Sequence, residues 1–409
     1  MALAASNDWP KDDVSHIPYR LYTDPEVFEA EMHRIFLGAS WCYAGLSAEL
    51  PNAGDFKTTV IGNRSVVLAR DDDGAVYAFA NRCAHRGVKF CRQEFGNTRF
   101  FVCPYHQWSY DRRGNLRGVP FIKGVSHKGG MPEDFAREDH GLTTLAVTER
   151  HGVLFASFAK VLPPLEAYLG ETHLRYFDRV FDGRNLHVLG YSRQLIPGNW
   201  KLMFENIKDP YHASLLHVFL VTFGLFRADQ ESQVLMDESG GHALLISQRG
   251  EQKHSEATRD MANLKEDFVL LDRRLLDPVR EFPDSATVVM QTLWPNLILQ
   301  QQSNTLALRQ IRPRSPGTFE LHWTFFGYDT DDDAMTTRRL RQANLMSAAG
   351  LVSGDDSEVI KLAQDGIAQD RDARAVVMMG GHGTSDTNHM VTETAVRAFY
   401  KHYRKVMGL

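Results

Sequence analysis

Two of the four cysteines in this 409-residue chain stand in short pairs with histidine: Cys83-Ala-His85 and, after 17 intervening residues, Cys103-Pro-Tyr-His106. Each pair precedes a turn-forming stretch, so one loop tip can present both of its side chains. Thiolates and imidazoles at this spacing suit two kinds of metal group. A closed Cys2His2 site would hold one zinc ion tetrahedrally and act as a staple. A [2Fe–2S] cluster with two thiolates on one iron and two imidazoles on the other would instead carry an electron, its histidines near the surface. Cys91 lies between the pairs and Cys42 lies outside them; both read as small packing residues.

A second set of donors follows in Phe204-Glu-Asn-Ile-Lys-Asp-Pro-Tyr-His-Ala-Ser-Leu-Leu-His217. His212 and His217 are five apart, with Asp209 three before the first. In a regular α-helix such a pair points about 140° apart, too wide to converge on one ion, whereas a widened π-type turn would bring them together. Two imidazoles and one carboxylate on a single face would leave open positions on Fe(II). The third ligand must come from elsewhere, and Ser347-Ala-Ala-Gly-Leu-Val-Ser-Gly-Asp355-Asp356 offers two acids after a Gly-containing turn, just before a helix. Position alone leaves Asp355 and Asp356 equivalent, and either could equally be a helix N-cap. Asn206 and Tyr211 stand close enough in sequence to support the histidines, or simply to pack.

These donors need rigid elements behind them. Asp24 and Pro25 read as the start of an amphipathic helix that places Phe28, Met32, Ile35 and Phe36 on one face. From about Cys42 to Phe158, short apolar runs broken by turn signals predict a compact all-β module. A helical stretch near Pro164 to Arg179 leads into long strands (ATVVMQTLW, NLILQQQ, TLALRQI, FELHWTFFGY) that suggest an antiparallel sheet. Helices return in SEVIKLAQDGI and TETAVRAFYKHYRKVM. The predicted class is α+β, divided into an N-terminal helical part at 1–40, the cluster module at 41–160 and a catalytic region at 161–409.

Composition narrows the setting. Net charge is −5 with acids and bases interspersed, which argues against a nucleic-acid partner. No run approaches the roughly 18 apolar residues that span a bilayer, and the N-terminus MALAASNDWPKDD reads as polar without a secretory leader. A cytoplasmic, membrane-free protein with reduced thiols is expected.

The two pairs, with Arg86 and Gly87 after the first, Pro104 and Tyr105 inside the second and Trp108 beyond, resemble the Rieske [2Fe–2S] signature. Together with the His212–His217 segment they resemble the α subunits of Rieske non-heme iron ring-hydroxylating oxygenases along essentially the whole chain. Segments such as WCYAGLSAELPNAGDF, IPGNWKLMFENIKDPYHASLLH and HMVTETAVR are similar to the benzoate-handling branch, which includes salicylate 5-hydroxylases and the anthranilate and terephthalate dioxygenases.

The resemblance implies an inserted Rieske β domain on a catalytic domain whose antiparallel sheet is covered by helices. It makes Cys83, His85, Cys103 and His106 the cluster ligands, and His212, His217 and Asp356 the mononuclear iron ligands. Asp209 then matches the family residue that joins a cluster histidine, His106, of one subunit to the iron ligand His212 of the next, the two metals within one subunit being too far apart. Electrons would come from NAD(P)H through a separate reductase, with or without a ferredoxin, and a small β subunit would complete an α3β3 assembly.

The implied reaction is O2-dependent hydroxylation of an ortho-substituted aromatic monocarboxylate, of the salicylate 5-hydroxylase type or, alternatively, of the anthranilate 1,2-dioxygenase type. Arg309, in TLALRQI, is on its own either a solvent-reaching strand residue or a carboxylate anchor, since a guanidinium pairs with a planar carboxylate through two bonds. The benzoate branch favours the anchor. Met390 stands near where relatives handling two carboxylates carry a further arginine, which implies a single carboxylate here. A non-catalytic Rieske electron carrier is the rival of another class; it would need only the β module and not the second donor set.

Overall fold

Asp24 and Pro25 start a helix for the reasons their chemistry gives: the Asp24 carboxylate accepts from the Glu26 N–H at 2.8 Å, and Pro25 fills the first helical position, where no N–H is needed. The resulting Pro25–Glu31 helix runs into a π turn at Met32–Phe36. The computed structural model describes residues 9–10, 12–249, 268–276 and 278–409, the side chain of residue 276 excepted. The polar start read at residues 1–8 lies outside them. No helix among the described residues is long and apolar enough to cross a membrane.

The chain divides into two units: Phe36–Leu162, and Met1–Ile35 together with Pro163–Leu409. The first is all β apart from short helical turns. Its four-stranded sheet runs Val76–Ala80, Arg64–Arg70, Asp55–Ile61, Phe95–Asn97, and two three-stranded sheets complete it. Phe79, Phe90, Phe101, Trp108 and Tyr110 fill its core, together with the thiols of Cys83 and Cys103.

The second unit is built on a seven-stranded antiparallel sheet. Its order is Leu186–Ile196, Thr318–Tyr328, Thr305–Ser315, Leu297–Gln302, Val288–Leu293, Ala243–Ser247, Ser232–Met236. The Trp200–Lys208 helix packs on its middle strands, and the Leu351–Ile367 and Thr394–Met407 helices pack against that helix. Asn199 caps Trp200–Lys208 by accepting from the Lys201 N–H at 3.1 Å. At the second helical position, Lys201 forms an ion pair of 2.7 Å with Glu31, with no solvent exposure on either side chain. Glu31 also accepts from Trp200 Nε1 at 2.8 Å and from the Tyr403 hydroxyl at 2.6 Å. One carboxylate thus fastens three helices, and its three donors supply the compensation that a buried charge requires.

Two buried histidines and a partly buried one lie close together. Rings of His173 and His242 lie 5.5 Å apart, and that of His402 stacks edge-on against Trp294 at 4.8 Å. His242 accepts from the Trp294 N–H at 3.0 Å and faces the Tyr168 carbonyl at 2.9 Å, an arrangement that suits the neutral ring. Burial holds His173 down to about 3 and His402 down to about 4, and lowers His242 as well. The unfolded chain takes up these protons near pH 6.5, so their contribution to stability is complete above that pH and is lost as pH falls toward 4. Melting temperature is therefore expected to drop by roughly 10 °C between pH 7.5 and pH 5, followed by circular dichroism. A constant melting temperature over that interval would contradict neutral burial.

Candidate functional site

In the Phe36–Leu162 unit, the Cys–His pairs sit on two loops of the same construction. Cys83 N–H donates to the Val88 carbonyl at 2.9 Å, and Gly87 N–H donates back to Cys83 at 2.9 Å. Likewise Cys103 N–H donates to Trp108 at 2.8 Å, and Gln107 N–H donates to Cys103 at 2.9 Å. Each loop needs a residue of positive φ four positions after its cysteine: Gly87 at +73° and Gln107 at +58°. Cys83 and Cys103 are buried side by side, and burial followed by the neighbouring Cys83 raises the Cys103 thiol. The His85 and His106 rings lie 4.6 Å apart and half exposed, with Trp108 stacked on His85 at 4.8 Å.

The residues present fit a two-iron cluster better than a single zinc ion. A tetrahedral ion would draw all four donor atoms close together, yet among the described residues only His212, His217 and Asp356 bring three such atoms within 4.8 Å of one another. Here sulfur sits beside sulfur and imidazole beside imidazole, one pair for each iron. The Nδ1 of His85 is buried without a hydrogen-bond partner, as a ligand nitrogen would be. Cys91 and Cys42 are buried packing residues; Asn81 brackets the Cys91 backbone at 2.9 and 2.7 Å.

The second donor set assembles within the other unit, by a different route from the π turn that spacing suggested. The Trp200–Lys208 helix stops at Asp209 (φ −101°, ψ 92°) because Pro210 forbids the residue before it from continuing. A single turn at Ala213–Leu216 follows, and His217 (φ −88°, ψ 69°) breaks the helix again. The two breaks leave the His212 and His217 rings 5.4 Å apart.

Asp355 and Asp356 also differ from expectation. They do not precede or cap a helix: Leu351–Ile367 begins four residues before Asp355, after Gly350. Asp356 points inward, with Oδ1 3.1 Å from His217 Nε2 and 3.6 Å from His212 Nε2. Asp355 faces the other side of the same ring, 3.3 Å from His217 Nδ1. The pair that sequence could not separate is thus divided between the two nitrogens of one histidine.

The remaining candidates are placed as follows. His212 Nδ1 contacts the Asp209 carbonyl at 2.5 Å and the Asp209 carboxylate at 3.7 Å, which leaves Nε2 toward Asp356. Asn206 donates from Nδ2 to Asp356 at 3.1 Å. Tyr211 reaches this group through its backbone, its N–H donating to Asp209 at 2.8 Å. Burial disfavours a charged His212, but hydrogen bonds to Asp209 and Asp356 outweigh it and raise the ring to about 10. Asp356 is held well below the ordinary carboxylate range by His212 and His217 in spite of its burial. A site this negative attracts a cation, and two imidazoles with one carboxylate match the donor set of Fe(II).

A cavity of about 560 Å³, its mouth included, opens onto these donors. Ile207, Leu220, Phe226 and Val288 give it apolar walls, and one face of the sheet supplies its polar groups. Gln300 pairs with Met290 on one side and Ala307 on the other, and Ile298 pairs with Arg309. Arg309 and Gln300 therefore lie diagonally on adjacent strands, on the same face. Arg309 is 3% exposed, lies 4.3 Å above the Trp323 ring, and has an Nε without a partner. Burial holds its guanidinium down to about 10, with distant Asp356 opposing.

Gln300 donates to Gln302 at 2.9 Å and leaves its own buried carbonyl unpaired. Neither glutamine was anticipated, although NLILQQQ ends a buried strand with three consecutive amides, an unusual burden for a core. Met390, fully buried, packs with Phe226 and Met346 in the apolar wall rather than lining the cavity.

Residues 170–409 match the ring hydroxylating alpha subunit (catalytic domain) family, and residues 40–128 match the Rieske [2Fe-2S] domain. The chain is 51% identical to the salicylate 5-hydroxylase large oxygenase component of Ralstonia sp., over 98% of this chain and 96% of that one. It is 41% identical to the anthranilate 1,2-dioxygenase large subunit of Burkholderia cepacia, over 99% and 96%. Naphthalene 1,2-dioxygenase from Rhodococcus sp., solved with indole bound, shares the fold at a TM-score of 0.79 and 23% identity, covering 96% of this chain and 94% of that one. The protein belongs to the ring-hydroxylating α subunits, the Rieske non-heme iron oxygenases, whose domains carry a [2Fe–2S] cluster and a mononuclear iron.

Asp355 is expected to orient His217 from behind. Replacing it with Asn should weaken ferrous-ion binding at the candidate site of His212, His217 and Asp356 by roughly 10- to 100-fold in chelator competition. An unchanged affinity would detach Asp355 from the site.

Proposed function

We propose that this chain is the large oxygenase component of an enzyme that hydroxylates an ortho-substituted benzoate, with salicylate as the first candidate and 5-hydroxylation as the reaction. The observation that carries this reading is Arg309. A buried guanidinium in an apolar cavity, with no carboxylate within ion-pair distance among the described residues, needs an anion from outside. A benzoate meets that need, its ring filling the apolar walls and its carboxylate meeting the fork of Arg309. The printed functions of the 51% and 41% identical relatives point to the same substrate class.

On this reading Cys83 and Cys103 hold one cluster iron, His85 and His106 hold the other, and His212, His217 and Asp356 hold the mononuclear iron. When bound, the cluster delivers single electrons and the mononuclear iron activates O2. The protein's own groups arrange that chemistry. Asp209, through its carbonyl, fixes the Nδ1–H tautomer of His212, and its carboxylate is the contact proposed to reach a neighbouring subunit's cluster histidine. Asn206 orients Asp356, while Tyr211 steadies Asp209 through its N–H. The unpaired Gln300 carbonyl accepts from an ortho hydroxyl or an ortho amine, so anthranilate is the second candidate. Met390 backs the apolar wall, and among the described residues Arg309 is the one arginine or lysine lining the cavity. Electrons come from NAD(P)H through a separate reductase, with or without a ferredoxin, and a small β subunit completes an α3β3 assembly in the cytoplasm.

The test is a panel of benzoates bearing ortho hydroxyl, amine, chloro or hydrogen, supplied with O2, NAD(P)H, the small subunit and a reductase, with products identified by mass. The ortho-hydroxy acid should gain one oxygen and be preferred over the chloro acid. Arg309→Met should raise KM for it by roughly 10- to 100-fold with a smaller change in kcat. An unaltered KM would remove Arg309 from substrate binding.

A further inference from the structure

Two methionines line the cavity beneath the mononuclear site, and their surroundings differ. Met346 is 3% exposed and packs among Phe226, Leu345 and Met390, all apolar. Met290 is half-buried, its strand pairs it with Gln300, and its Sδ accepts from the Arg309 guanidinium at 3.6 Å. That guanidinium has a buried Nε without a partner and no carboxylate within ion-pair distance among the described residues. A thioether is a weak acceptor, so a cation that calls for an anion rests instead against sulfur.

Sulfur chemistry gives this contact a second state. Attack of the Met290 sulfur lone pair on hydrogen peroxide forms an S–O bond and breaks the O–O bond, and the departing hydroxide takes the remaining proton and leaves as water. Sulfur is oxidised by two electrons, and peroxide, itself the two-electron reduction product of O2, is reduced by two. An N–H of Arg309 beside the sulfur stabilises the charge that gathers on the departing oxygen. The product carries a polar oxygen next to an unpaired cation, whereas the same product at Met346 would bury that oxygen among apolar groups without a donor.

We propose that Met290 is an oxidation site whose sulfoxide closes the anion anchor of the cavity, an inference that rests on the reading of Arg309 as the carboxylate anchor. Once oxidised, Met290 presents the guanidinium with a sulfoxide oxygen in place of sulfur. Bonds from a charged donor to oxygen are roughly twice as strong as neutral ones, so an incoming benzoate has to displace a firm partner rather than a weak one. A benzoate already bound fills the cavity through which peroxide reaches the sulfur, and substrate therefore shields the residue whose oxidation would exclude it. The modification is confined to conditions in which O2 is reduced to peroxide while the cavity lacks its carboxylate.

The experiment exposes the complete oxygenase, with reductant withheld, to hydrogen peroxide in the presence and absence of salicylate. Peptide mass spectrometry follows the gain of one oxygen at Met290, at Met346 in the same cavity, and at Met131 and Met335, which are half-buried elsewhere. Met290 should be oxidised several-fold faster than Met346. Salicylate at about ten times its Kd should slow Met290 roughly tenfold and leave Met131 and Met335 unaltered. Isothermal titration calorimetry then reads salicylate binding before and after treatment. Peroxide should raise Kd roughly tenfold in the wild type, and this rise should vanish in Met290→Leu, which keeps the volume of the side chain but has no sulfur to oxidise. Oxidation of Met290 no faster than of Met346, equal protection of all four methionines, or an equal rise in Kd in wild type and Met290→Leu would overturn the proposal while leaving the substrate reading intact. Untreated wild type that binds no salicylate or other benzoate would overturn both.

Discussion

The ion pair between Lys201 and Glu31 lies where water cannot reach, and the mononuclear site depends on it at a distance. By joining the N-terminal helix, the Trp200–Lys208 helix and the Thr394–Met407 helix through one carboxylate, it fixes the axial position of Trp200–Lys208. That helix ends at Asp209, so its placement decides where Asn206, Asp209 and His212 fall. Buried ion pairs contribute modestly to stability compared with well-packed apolar groups, but breaking one partner leaves an uncompensated charge. Such a pair suits a structure that needs a helix in one register rather than several.

From that fixed end the site is assembled by interruptions. Pro210 halts one helix, and the break at His217 ends the next turn, so two imidazoles that a continuous helix would splay come to face the same carboxylate. The rest of the cavity is apolar except for a row of polar side chains on one sheet face. Within it, the negative cluster at Asp356 and the positive charge at Arg309 occupy separate walls. Charge separation of this kind draws the carboxylate of an aromatic acid toward one wall and leaves its ring facing the other.

The sequence carried these features unequally. Local pairs were legible because chemistry acts over few residues: two Cys–His pairs and the His212–His217 spacing are short-range facts, as are the Asp24–Pro25 helix start and the antiparallel strands. Asp356 could be preferred over Asp355 only through family resemblance, since the choice depends on which helix face meets His217 across more than a hundred residues. The π turn expected between the histidines is replaced by a broken helix, and Pro210 was the signal for it, because the residue before proline leaves the helical region. Gln300 and Gln302 went unnoticed because their meaning lies in register, which pairs them with Met290 and Val288 and turns them into the cavity. Arg309 was visible as an arginine in an apolar strand, but its isolation from carboxylates is a property of the fold.

Two metal centres of different chemistry in one chain are what the family requires, and His212, His217 and Asp356 are the residues proposed to hold the second. Iron and acid-labile sulfide should be counted in anaerobically purified wild type and in Asp356→Ala, with the cluster monitored by electron paramagnetic resonance. The expected result is about three irons and two sulfides per chain, falling to about two irons with the sulfide and the cluster signal unchanged. Three irons retained in Asp356→Ala, or only one kind of iron centre in the wild type, would contradict it.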